Sequence, residues 1–145
     1  MAKIIFILGL AGSGKSHQAI EIQKQTGAKP FENIWGDRNS NNISNRNAML
    51  KHLKEGKDCT VEEIALCIEA NRKEFDKEYL HSIPNLIIDW ICFENNKDKA
   101  NWNVERRNDK GKEDIKGHLE INEYYHKLYT YPKGVEPILI HLINS

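Results

Sequence analysis

"FILGLAGSGKSHQ", residues 6–18, decides how the rest of the chain is read. Gly9, Gly14, Lys15 and Ser16 satisfy the phosphate-loop pattern G-x-x-x-x-G-K-[ST], and the apolar run at residues 4–8 just before it reads as a buried strand. Glycines let successive backbone N–H groups turn inward, and a helix starting near Lys15 adds the positive end of its dipole, so phosphate oxygens would meet preorganised donors. Lys15 has the reach for the β- and γ-phosphates, and Ser16 offers a hydroxyl to Mg²⁺. Gly9, Ala11, Gly12, Ser13, Gly14, Lys15, Ser16 and His17 are therefore the expected nucleotide-binding residues, with ATP and Mg²⁺ as cofactors.

Working outward, residues 15–26 are expected to be a helix stopped by Gly27, followed by a short strand in "KPFENIW". "GDRNSNNISN" is polar enough to read as a loop, and "RNAMLKHLKEG" as a second helix closed by Gly56. "DCTVEEI" is a brief third strand, and Ile64, Ile68, Asn71, Phe75 and Tyr79 recur at helical spacing, which predicts one long helix over 64–82. "NLIIDWICFEN" reads as a fourth strand buried on both faces. Helices over 97–107 and 113–129 and a last strand in "EPILIHLIN" complete the pattern. Strands separated by helices demand parallel pairing with right-handed crossovers. The expected fold is thus a three-layer α/β sandwich of the P-loop NTPase type with a five-stranded, mostly parallel sheet, one domain over residues 1–145, and a short helical lid over about 97–118.

Composition narrows the partners. The formal charge is zero with 29% charged residues, so no global field draws the chain to nucleic acid or membrane, and no apolar run approaches a membrane span. Cys59, Cys67 and Cys92 are an odd count without metal-ligand spacing, which suggests buried thiols in a reducing cytoplasm. The apolar "MAKIIFILGL" runs straight into the phosphate loop and reads as a strand, not a targeting signal.

In a parallel sheet, ligands bind beyond the carboxyl ends of the strands. Asp37 and Arg38 follow the second strand as an adjacent acid and cation: a base and a phosphate clamp for an acceptor, or equally a solvated turn. Glu62 and Glu63 close the third strand and are the better-placed supports for the magnesium shell. Asp89 is the alternative; mid-strand, it would be a buried carboxylate in need of a partner. Residues 97–116 carry seven cations and five acids, and their place between the fourth strand and the last helix favours a lid from which Arg107, with Arg106 behind it, swings onto the transferring phosphoryl. Trp35 and Trp102 flank these segments, as packing or as platforms for a base.

"GLAGSGKS", "FENIWGDR", "EEIALCIEANRKEFDKEY" and "NVERRNDKGK" together resemble the kinase domain of bacteriophage polynucleotide 5′-kinases, in the wider group of zeta-toxin-like kinases. The resemblance implies γ-phosphoryl transfer from ATP to the 5′-hydroxyl end of a nucleic acid. It also implies Asp37 as general base, Arg38 on the acceptor's phosphate, Glu62 or Glu63 in place of the family's Asp, and Arg107 as a lid arginine. His17 stands where many such kinases carry Thr. Asp37 and Arg38 are adjacent here, whereas the family separates them by two residues. The second lid arginine falls near Lys110 or Lys112, and lysine lacks the bidentate fork. A nucleoside, nucleotide or sugar nucleotide is the other expected acceptor class, and a nucleotide-binding module with little turnover the reading outside enzymes.

Overall fold

A β-branched and aromatic run, KIIFIL, forms the central strand β1 (Lys3–Leu8), flanked by β3 (Cys59–Glu62) and β4 (Ile87–Cys92), with β2 (Lys29–Glu32) outside β3. The structure is a computed structural model that describes residues 1–107 and 111–144. All pairings are parallel, in the order β2-β3-β1-β4. The helices are α1 (Lys15–Thr26), α2 (Ser40–Lys54), α3 (Glu69–Phe75), α4 (Lys97–Glu105) and α5 (Lys112–Tyr125). Right-handed crossovers put α1 on one face of the sheet and α2 and α3 on the other, which is the expected α/β layering. Ile4, Phe6, Leu8, Met49, Leu53, Val61 and Phe75 form the core between the layers. Among the described residues no helix is long and apolar enough to cross a membrane.

Among the described residues the sheet has four strands, not five. Residues 136–144 contribute one parallel bridge, Phe93 to Ile138, and then run over α4. Pro132 and Pro137 bracket a turn, with Gly134 at φ 79°, in the stretch that would have to lie along β4, and proline cannot donate to a ladder. β4 is therefore an edge strand, and the expectation that both of its faces are buried fails: Ile87 is 41% exposed. Asp89 is not a buried carboxylate either. Its side chain is half exposed and pairs with Lys3 at 3.0 Å on the neighbouring strand.

Two helices differ from expectation. The polar "GDRNSNNISN" is partly helical, because Asn39 in extended conformation accepts from the Asn41 N–H at 2.8 Å and caps α2 at Ser40. The single helix expected over 64–82 breaks into a 3₁₀ turn (Ile64–Cys67), α3 and a π-helical turn (Asp76–Leu80). Ile68, extended at φ −93° and ψ 123°, interrupts it. Arg72 compensates the break: its guanidinium is buried and donates to the carbonyls of Leu66 and Cys67, which a continuous helix would have paired internally, and also to that of Thr130.

Candidate active site

β1 delivers the chain into residues 9–16 at the carboxyl edge of the sheet, and the loop there has the conformation the glycines permit. Gly12 and Gly14 lie at φ 89° and 111°. A Cβ at Gly12 would sit 2.3 Å from the Ala100 carbonyl oxygen, so this glycine also allows α4 to approach the loop. The Lys15 ammonium is half-buried and donates to the carbonyls of Gly9 and Leu10. Burial holds its pKa below 10.5, against the opposing pull of the Glu62 and Glu63 carboxylates; the Arg107 charge lowers it further.

Ser16 donates its hydroxyl to Glu62 at 2.7 Å. Burial raises the Glu62 carboxyl above its ordinary value, the bond from Ser16 and the charge of Lys15 oppose this, and Glu32, its direct partner across the β2–β3 ladder, adds to the rise. Glu63 is held elsewhere. Its carboxylate accepts from the backbone N–H groups of Ile34 and Trp35 at 3.2 and 3.0 Å, and it caps the 3₁₀ turn through Ala65. Of the two expected acids, then, Glu62 touches the loop's serine, and Glu63 braces the segment after β2. Ser16 and Glu62 supply hard oxygen donors, which suits Mg²⁺. Among the described residues no cluster of three or more His, Cys, Asp or Glu could hold a metal alone, so phosphate oxygens and water would complete the shell.

Around the loop lies a cleft of about 650 Å³. It is lined by Leu10 to His17 of the loop, by Glu32, Asn33, Glu62, Glu63 and Ile64 at the ends of β2 and β3, and by Arg107 after α4 with His118 and Ile121 of α5. Arg107 thus faces the phosphate loop. Arg106 does not; it stacks on Trp102, 3.1 Å from the ring centroid, and donates to that residue's carbonyl. Trp102 in turn bonds the Ile143 carbonyl, while Trp35 packs near Phe75. Lys112 begins α5, and Lys110 lies outside the described residues.

Asp37 and Arg38 are not among the residues lining the cleft. Asp37 pairs with Arg46 Nη2 at 2.6 Å, and Arg46, itself buried, also donates to the carbonyls of Ile34 and Gly36 and lies over the Tyr79 ring. Arg38 is exposed. Sequence reasoning assigned no role to Arg46, because an arginine in a polar helix looks like any solvated charge.

Two asparagines are the larger omission. Asn122 of α5 is fully buried; its Oδ1 accepts from the Ala11 N–H at 2.8 Å, and its Nδ2 donates to the Ala11 carbonyl and to Asn101 Oδ1, each at 2.9 Å. Asn103 of α4 donates to the carbonyls of Gly12 and His141 at 2.9 Å and accepts from the Ile143 N–H at 2.7 Å. The phosphate loop is thereby held by α4, within the segment expected to act as a lid, and by the part of α5 just beyond it. Helical spacing offered a faint signal: His118, Ile121 and Asn122 form one stripe of α5, and the first two face the cleft.

This chain is 32% identical over 136 residues, 90% of its own length and 91% of the other's, to "Uncharacterized protein R277" of Acanthamoeba polyphaga mimivirus. It belongs to the family of that mimivirus protein. No protein-family model matches the chain. Among solved structures it is similar to a gluconokinase from Sinorhizobium meliloti 1021, with a TM-score of 0.60 at 13% identity over 95% of this chain and 82% of that one. An uncharacterised protein from Eubacterium ventriosum ATCC 27560 gives a TM-score of 0.49 at 15% identity, over 94% and 88% of the two chains. The likeness to the gluconokinase concerns the fold, a phosphate-loop kinase-like α/β sandwich.

Proposed function

We propose that this member of the mimivirus protein's family is an ATP-dependent phosphotransferase that moves the γ-phosphoryl group to a hydroxyl. The observation that carries the reading is the Lys15 and Ser16–Glu62 arrangement in a cleft that Arg107 also lines. Phosphoryl transfer asks for positioning and charge neutralisation more than covalent help. Loop N–H groups and Lys15 would bind the triphosphate, Ser16 and Glu62 would hold Mg²⁺, and Arg107 would meet the transferring group from across the cleft. The metal, when bound, neutralises charge between the β- and γ-phosphates. The kinase-like fold supports this reading, and the three free, buried cysteines suit a reducing cytoplasm.

For the acceptor, a nucleic-acid 5′-end draws support from the resemblance of "FENIWGDR" to the polynucleotide kinases. It asks Asp37 and Arg38 to turn toward the cleft. A small hydroxylated molecule is favoured by their position outside the cleft wall. The test is incubation with γ-labelled ATP, Mg²⁺ and a panel of 5′-hydroxyl oligonucleotides, nucleosides, nucleotides, sugars and sugar nucleotides. Label in any acceptor is the expected outcome. A chain that binds an ATP analogue but labels none of them is a nucleotide-binding module.

A further inference from the structure

We propose that the acceptor is a small uncharged polyhydroxy compound, of sugar or nucleoside size, bound against the ends of β2 and β3 with Glu32 as the carboxylate that takes its proton. This rests on the phosphotransfer reading above and names the acceptor class for that same cleft.

The charges on the cleft walls carry the inference. The wall where an acceptor would stand is Glu32, Asn33, Glu62, Glu63 and Ile64: carboxylates, an amide and an aliphatic chain, with no cation. The cleft's Lys and Arg, among the described residues, are Lys15 in the phosphate loop and Arg107, whose charge acts on Lys15, and neither belongs to the ends of β2 and β3. Arg46 is buried in the 34–37 turn and paired with Asp37, and Arg38 lies outside the cleft. A phosphate beside the reacting hydroxyl would face like charge without a compensating arginine, which is strongly disfavoured. Neutral hydroxyl groups, by contrast, are donors for which carboxylate and amide oxygens are natural acceptors.

The acids on this wall are not equivalent. Glu62 is bonded to Ser16, and Glu63 to three backbone N–H groups. Glu32 is exposed at the carboxyl end of β2, directly opposite Glu62 in the ladder, and its carboxylate enters no ion pair among the described residues. The backbone beside it is fixed, since Asn45 Nδ2 donates to the carbonyls of Glu32 and Asn33 at 3.2 and 3.3 Å, and Asn33 is held at φ 53°. In the step, the acceptor oxygen forms a bond to the γ-phosphorus as the bond from that phosphorus to the β,γ-bridging oxygen breaks. ADP leaves with that electron pair, and the hydroxyl proton passes to the Glu32 carboxylate and then to solvent.

The experiment compares matched acceptors on the full chain: neutral sugars and nucleosides, each with its monophosphate, and 5′-hydroxyl oligonucleotides, all with γ-labelled ATP and Mg²⁺. The neutral member of a pair should be favoured in kcat/KM by about tenfold or more. Glu32→Gln should lower kcat by roughly 10² to 10⁴-fold, with affinity for a non-hydrolysable ATP analogue read separately and retained. Glu32→Lys should shift preference toward the phosphorylated member. Preferential labelling of oligonucleotides or monophosphates, or undiminished kcat in Glu32→Gln, overturns the proposal while leaving the phosphotransfer reading intact. ATP-analogue binding with no labelled acceptor at all removes that reading, and this proposal with it.

Discussion

Lys15 rests on the carbonyls of its own loop, half-buried, with Glu62 and Glu63 close enough to oppose the lowering of its pKa by desolvation. On the proposed reading, Lys15→Ala would remove a charge-assisted contact to the triphosphate, worth about 1.5–3 kcal/mol, so affinity for a non-hydrolysable ATP analogue should fall roughly ten- to a hundredfold by calorimetry. Glu62 and Glu63 separate in the same way. Glu62→Gln should raise the magnesium needed for half-maximal binding of the analogue, whereas Glu63→Gln should chiefly lower the melting temperature by loosening the 34–35 backbone. The Glu62 carboxyl is held above 4.5, so the native state binds more protons than the unfolded state just above that value. Its contribution to stability is complete below pH 4.5 and is lost as pH rises through the native value. Melting curves of Glu62→Gln without nucleotide should lack that fall. Asp89→Asn, in contrast, should shift stability by only about 0–1 kcal/mol, the scale of a half-exposed pair. That carboxylate was expected to be buried because "LIIDWICF" is apolar apart from Asp89 itself, and a strand's own composition does not say whether a neighbour will cover it.

Among the elements, α4 and α5 set the phosphate loop from behind. Asn122→Ala deletes three hydrogen bonds and leaves the Ala11 N–H and carbonyl unpaired; losing buried partners costs about 1–3 kcal/mol each. The expected result is a lower melting temperature together with weaker analogue binding, and Asn122→Asp, which keeps the acceptor for Ala11 N–H, should be the milder of the two in binding. Gly12→Ala should impair binding too, because the new Cβ would push α4 away from the loop. How much of this was legible follows from range. β1, the loop and α1 are a local strand–turn–helix signature with glycines at the positions that need positive φ, and they were read correctly. The cap at Asn39 was missed because the polar residues that favour loops also favour helix starts. The fifth strand was expected from "EPILIHLIN" alone, while its absence is decided by Pro132 and Pro137 upstream of the apolar run. Asn103 and Asn122 act on residues about ninety and more than a hundred positions away, where no periodicity reaches.

For the whole molecule, nucleotide that binds the native state alone should add about 2.7 kcal/mol at a hundred times its dissociation constant. A magnesium–ATP analogue should therefore raise the melting temperature by several degrees, and Lys15→Ala should remove most of that shift at the same concentration. A different consequence follows from the way the loop is tied. "GLAGSGKS" precedes α4 and α5 by about a hundred residues, yet Ala11 is pinned by Asn122 and Gly12 by Asn103, with His141 and Ile143 completing the Asn103 bonds. During translation the phosphate-binding turn is thus made early and becomes rigid only when α5 and the residues after it have left the ribosome. Contacts this distant along the chain close slowly. A nascent chain halted before Asn122 should fail to retain an immobilised ATP analogue even with β1 to β4 complete, so the ability to take up nucleotide would wait until α5 has been made.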